Sequence, residues 1–202
     1  MARVRVVTDS AGDLTPSLAE ERGVTIVPLS IRFGSEEFVD GATLTADEFW
    51  SRCKSSDVLP ETSAPSPGAF QEAFLGAAGD GYDGVVCINL SGALSATYQA
   101  ARTAAEAVSD QVPVRVIDSR SVTMGQGLMV LAAAESAAGG ASLDEVEAVV
   151  KGQIERTQVF GAIDTLEHLE KGLKWKLSGG AAATNIAALR AAYEETSIQK
   201  IE

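Results

Sequence analysis

The sequence predicts an α/β fold, a mainly parallel sheet with helices on both faces. Three observations carry that expectation. Short β-branched runs, RVRVVT (3–8), GVVCINL (84–90) and PVRVIDS (113–119), alternate with longer alanine-rich segments. This β–α rhythm is what a parallel sheet with crossover helices requires. Helix starts are marked between the runs by Thr15-Pro16 and by the capping-box pairs Thr45/Glu48 and Ser142/Glu145. Finally, 46% of the 202 residues are hydrophobic, enough for a sizeable core.

After the first strand, a helix opens at Thr15-Pro16 and closes at Gly23. VTIVPLSIRF (24–33) reads as a strand interrupted at Pro28, and GSEEFVDG as a hairpin or irregular excursion. A helix runs from the Thr45 capping box to about Cys53. PETSAPSPGAF (60–70) reads as a hydroxyl-rich loop in which Ser66 is the N-cap and Pro67 the first residue of a helix to about Ala78. Beyond the strand at 84–90 a helix is expected from about Leu94 to Val108, and beyond the strand at 113–119 a long one through MGQGLMVLAAAESAA. The Ser142 box starts a helix to about Thr157, and QVFGAID (158–164) reads as a fifth strand. The rest departs from the rhythm: SGGAAATN is linker-like, and NIAALRAAYEE reads as a helix capped by Asn185.

Composition excludes several classes. A net charge of −12 argues against nucleic acid as partner, because phosphate binding needs a basic face. Cys53 and Cys87 lack CxxC spacing and read as free thiols of a reducing compartment. The single histidine, His168, leaves no metal-ligand cluster, and neither a G-x-S-x-G elbow nor a P-loop or G-x-G-x-x-G is present. MARVRVVTDS is strand-like rather than a signal peptide, and no apolar run reaches membrane-spanning length, so a cytoplasmic location is expected.

Ligands of open α/β sheets sit beyond the carboxyl ends of the strands. The residues at those ends are Thr8-Asp9-Ser10, then Ser91 to Thr97, then Asp118-Ser119 with the segment Ser121 to Gly127. The loop carrying Thr62, Ser63 and Ser66 leads towards the same edge. Hydroxyls beside helix N-termini suit a carboxylate or phosphate; each taken alone also suits an N-cap. Asp9 and Asp118 could hold Mg²⁺, or cap the turns they begin.

Taken together, VVTDSAGDL (6–14), VPLSI (27–31), ETSAPSPGAF (61–70), LSGALSATYQAA (90–101) and VIDSRSVTMGQG (116–127) resemble the DegV family over roughly residues 3–171. The resemblance implies a non-catalytic fatty-acid-binding protein, the acyl chain buried between two lobes and no cofactor. Some relatives present the carboxyl group to a separate fatty acid kinase. Carried over, Thr62 and Ser63 would hydrogen-bond the carboxylate, helped by Ser91 and Ser95 with Thr97 nearby. Pro65 and Pro67 would stiffen the loop.

Two departures stand out. Gly92 lacks a hydroxyl that relatives often carry, and Ala96 replaces a usual glycine. After Glu167-His168-Leu169-Glu170-Lys171-Gly172 the sequence no longer follows the family. The expectation is therefore an α/β domain at 1–157, with a short remnant of the second lobe and an atypical helical tail at 158–202. The second lobe would be largely missing and the acyl groove partly open, so a homodimer covering it is expected. The competing expectation is a truncated or re-engineered DegV-like scaffold without a ligand, assembling through its tail. An enzyme using Asp9 and Asp118 with a metal is the third reading.

Overall fold

The computed structural model describes residues 2–56 and 58–160. In chain order the elements are β1 (Val4–Asp9), a 3-10 turn (Ser10–Gly12), α1 (Pro16–Glu21), β2 (Val24–Val27), β3 (Ser30–Phe33), β4 (Glu36–Val39) and α2 (Ala46–Ser55). They continue with β5 (Glu61–Ser63), α3 (Pro67–Gly79), β6 (Gly84–Asn89), α4 (Thr97–Ala107), β7 (Val114–Asp118), α5 (Met124–Ala138) and α6 (Leu143–Ile154). The Asn185 helix, His168 and the last four residues of the expected strand at 158–164 lie outside the described residues; Gln158–Phe160 form no strand.

Strands β2-β1-β6-β7 make a four-stranded sheet, in that order and all parallel. Side chains alternate across it, as a period of two dictates. Val4, Val6, Val86 and Ile88 pack with Met129, Val130 and Ala133 of α5 and Val146 and Val150 of α6. Val7, Val85 and Cys87 face the other way, against Phe70 and Phe74 of α3 and Ala101 and Ala104 of α4. Helices therefore cover both faces, and β1 and β6 sit in the middle of the core. Burying a side chain such as Phe70 or Ile88 stabilises the fold by roughly 1.5–3 kcal/mol.

The four expected start signals that fall among the described residues act as caps. Thr15, Ser66, Thr45 and Ser142 each accept a first-turn backbone N–H, and both capping boxes are closed. Hydrogen bonds from the Ser142 backbone and hydroxyl hold the Glu145 carboxyl below its ordinary value, and the Thr45 pair does the same for Glu48.

Three expectations are corrected. The run 24–33 is two strands in different sheets: β2 ends before Pro28, which has no N–H to donate, and β3 joins an antiparallel sheet ordered β4-β3-β5. Residues 60–66 are not wholly loop, because Glu61–Ser63 pairs with Ser30–Arg32, an alignment reinforced by the Arg32–Glu61 ion pair. The helix expected from Leu94 begins only at Thr97, because 91–96 is spent on a turn.

Candidate functional site

The site grows from the carboxyl ends of β1, β6 and β7. Asp9, 1% exposed, ends β1 and accepts four hydrogen bonds. One oxygen takes the Ala11 amide (3.1 Å) and Nε2 of Gln126 (3.0 Å). The other takes Nδ2 of Asn89 (3.0 Å) and the Leu90 amide (2.9 Å). Burial pushes its carboxyl up, and the four donors partly offset the rise. Thr8 donates to the Ile88 carbonyl at 2.8 Å and accepts from Gln126 at 2.9 Å.

After β6 the chain folds into a tight hydroxyl-bearing turn. The Ser91 amide donates to the Ser121 carbonyl at 2.8 Å, and the Ser91 carbonyl accepts the Leu94 and Ser95 amides at 2.9 and 3.2 Å. Ser91 Oγ accepts the Ala93 amide at 3.3 Å. Ser95 Oγ accepts the Thr97 amide at 3.3 Å and lies 2.9 Å from Thr97 Oγ1. Ser91 and Thr97 are buried, whereas Ser95 is half-buried. Ala96 stands at the N-cap of α4 and offers no side-chain cap. The start of α4 thus carries partial positive charge that its own N-cap residue does not neutralise. A shallow depression of about 450 Å³ opens here, lined by Gly92 to Ala96 with Tyr98 and Gln99.

The β7 end holds this turn from the side. Asp118 accepts the Gly92 amide (3.1 Å) and the Arg120 amide (2.9 Å) through one oxygen. Asp9 and Asp118 therefore both brace turns. Among the described residues no cluster of His, Cys, Asp or Glu has the grouping a metal ion needs. Arg120 and Thr123 are in the left-handed half of backbone space, with φ of 50° and 55°. The Thr123 amide donates to the Ala11 carbonyl at 2.8 Å, so the strained segment is tied to the turn after β1.

Thr62 and Ser63 lie side by side on β5, both exposed. Ser63 pairs with Ser30 and Thr62 with Ile31 in the antiparallel sheet, which is a separate sheet from the one whose strand ends carry Ser91 to Thr97. Among the described residues no hydrogen bond links Thr62 or Ser63 to Ser91, Ser95 or Thr97. Sequence reading missed Gln126 and Asn89, the partners of Asp9. Their only sequence signal is a polar residue inside an otherwise apolar strand and another between two glycines.

A family profile described as "Uncharacterised protein, DegV family" matches residues 3–184. A DegV domain-containing protein of Streptococcus pyogenes is 36% identical over 172 residues, which cover 85% of this chain and 61% of the relative. One from Deinococcus radiodurans is 34% identical over 179 residues, covering 89% and 62%. A structure described as fatty acid binding of a DegV family protein from Thermus thermophilus aligns with TM-score 0.73 and 32% identity, over 84% of this chain and 60% of that one. A stearic acid-binding protein from Eubacterium ventriosum aligns with TM-score 0.67 and 30% identity, over 75% and 52%. The chain thus spans about three-fifths of the length of these curated relatives. With nearly its whole length matched by the family profile, this chain is a member of the DegV family.

Proposed function

We propose that this chain binds a long-chain fatty acid without transforming it, holding the carboxylate at the hydroxyl-bearing edge. Thr62 and Ser63 are exposed, Ser95 is half-buried with its hydroxyl against Thr97, and Ser91 and Thr97 complete the turn that carries Ser95. The observation that carries the reading is the Ser91–Thr97 turn, which sets a half-buried hydroxyl beside a helix start whose N-cap residue, Ala96, supplies no side-chain cap. Such an end favours an anion. The fatty-acid ligands of the Thermus and Eubacterium relatives name the class of anion. Leu94 and Leu128, 61% and 56% exposed, supply apolar surface for an acyl chain. Presentation of the carboxyl group to a separate fatty acid kinase belongs to this proposal, as does a homodimer that covers the acyl chain.

One observation favours the competing scaffold reading: the Ser91, Ser95 and Thr97 hydroxyls are already engaged within the turn. Mass spectrometry of a denaturing extract separates the two. The carrier reading predicts near-stoichiometric fatty acid from the parent and depletion in a folded Thr62→Ala, Ser95→Ala double variant. Folded parent protein that yields no lipid, and takes up none when it is supplied, refutes it.

A further inference from the structure

Gln126 is wholly buried on the first turn of α5, and its Oε1 has no hydrogen-bond partner among the described residues. An unpaired buried amide oxygen lowers stability, and an apolar side chain of similar size would avoid that loss. What Gln126 does supply is its Nε2–H donors. They reach Thr8 Oγ1 at 2.9 Å and Asp9 Oδ1 at 3.0 Å. The other oxygen of Asp9 receives the amide of Leu90, the residue immediately before Ser91. A line of two side chains, Gln126 and Asp9, therefore runs from α5 through β1 to the backbone at the root of the Ser91–Thr97 turn.

We propose that Gln126 is a positioning residue: by fixing the Asp9 carboxylate it sets the height of the Asn89–Leu90 peptide, and through it the turn that carries the Ser95 hydroxyl and the start of α4. The inference rests on the proposed carboxylate site and adds the residue that orients it. Two other anchors act on the turn, the Ser121 carbonyl on the Ser91 amide and Asp118 on the Gly92 amide. Both lie beyond Leu90. Where the strand ends, the Asn89–Leu90 peptide is held from both sides, its carbonyl by the Ser119 amide at 3.0 Å and its N–H by Asp9, so losing the Asp9 line displaces the turn without releasing it.

The test compares palmitate with hexadecanol, which share an acyl chain and differ in the head group. A positioning role affects the acid alone; general loosening of the fold weakens both. The near-isosteric Gln126→Met removes the donors and keeps the volume. In the full chain the ratio of hexadecanol to palmitate dissociation constants is expected to fall about tenfold, with hexadecanol affinity unchanged. An unchanged ratio overturns the inference, as does equal weakening of both ligands. Should Gln126→Met not fold, Thr8→Val removes one partner of the amide, and a fall of about threefold is expected; an unchanged ratio there overturns the proposal equally. A parent that does not prefer palmitate removes the carboxylate site itself, a result read from the parent alone.

Discussion

Four donors converge on the Asp9 carboxylate, which determines what a substitution there does. In Asp9→Asn the new NH₂ must face two of those donors whichever way the amide turns. A loss of roughly 1–3 kcal/mol is expected, read as a lower urea midpoint at unchanged slope. The pH dependence stems from burial, which raises the Asp9 carboxyl above 3.8, so the folded state binds this proton more readily than the unfolded chain. Its contribution is full below 3.8 and declines as pH rises through the folded value. The deficit of Asp9→Asn should accordingly be greatest at the acid end and shrink towards neutrality. A deficit that grows with pH would contradict the assigned environment. The sequence showed Asp9 ending a strand, where capping is the ordinary role. That its partners come from positions 89 and 126 is tertiary information, visible only once β1, β6 and α5 are packed together.

At the scale of elements, legibility tracks locality. Caps such as Ser66 and Ser142 act within four residues, so sequence placed them correctly. The three residues of β5 gain their strand character from β3, some thirty residues away, and carry no pattern of their own. The late start of α4 likewise comes from the bonds that hold 91–96 as a turn. Two glycines turn this into a measurement. Helix α5 crosses the Ser10–Gly12 turn so closely that a Cβ on Gly127 would collide with the Gly12 carbonyl oxygen, a backbone atom that cannot easily yield. Gly76 on α3 is exposed, and a Cβ there meets nothing within 4 Å. Gly127→Ala should lower the melting temperature and disturb the turn after β1, while Gly76→Ala should raise stability by about 0.5–1 kcal/mol. Equal tolerance of both would mean that α5 does not meet the turn as described.

For the whole molecule, the parallel sheet and its two helical faces were legible because an apolar strand followed by an alanine-rich helix is a long, repeated signal. The second, antiparallel sheet was not, since its three strands are at most four residues long and all lie beyond the break at Pro28. In the sequence the proposed site is visible only as hydroxyls that follow strands or lead towards them. The division between Thr62 and Ser63, which are exposed, and Ser91, Ser95 and Thr97, whose hydroxyls are engaged inside the turn, required the fold. The net charge of −12 gives this division a consequence. An anionic ligand gains no long-range attraction from such a chain, so its carboxylate must be held by short-range hydrogen bonds and the local field of α4.

The most direct test is carbon-13 NMR of carboxyl-labelled palmitate bound to the full chain, tracked through a pH titration. Hydrogen bonds from hydroxyls and a helix N-terminus favour the ionised form. The account therefore predicts a distinct bound resonance whose protonation midpoint lies below that of monomeric fatty acid in water, and which moves up in Ser95→Ala. A bound resonance titrating at or above the free value would put the carboxyl group elsewhere and contradict the account.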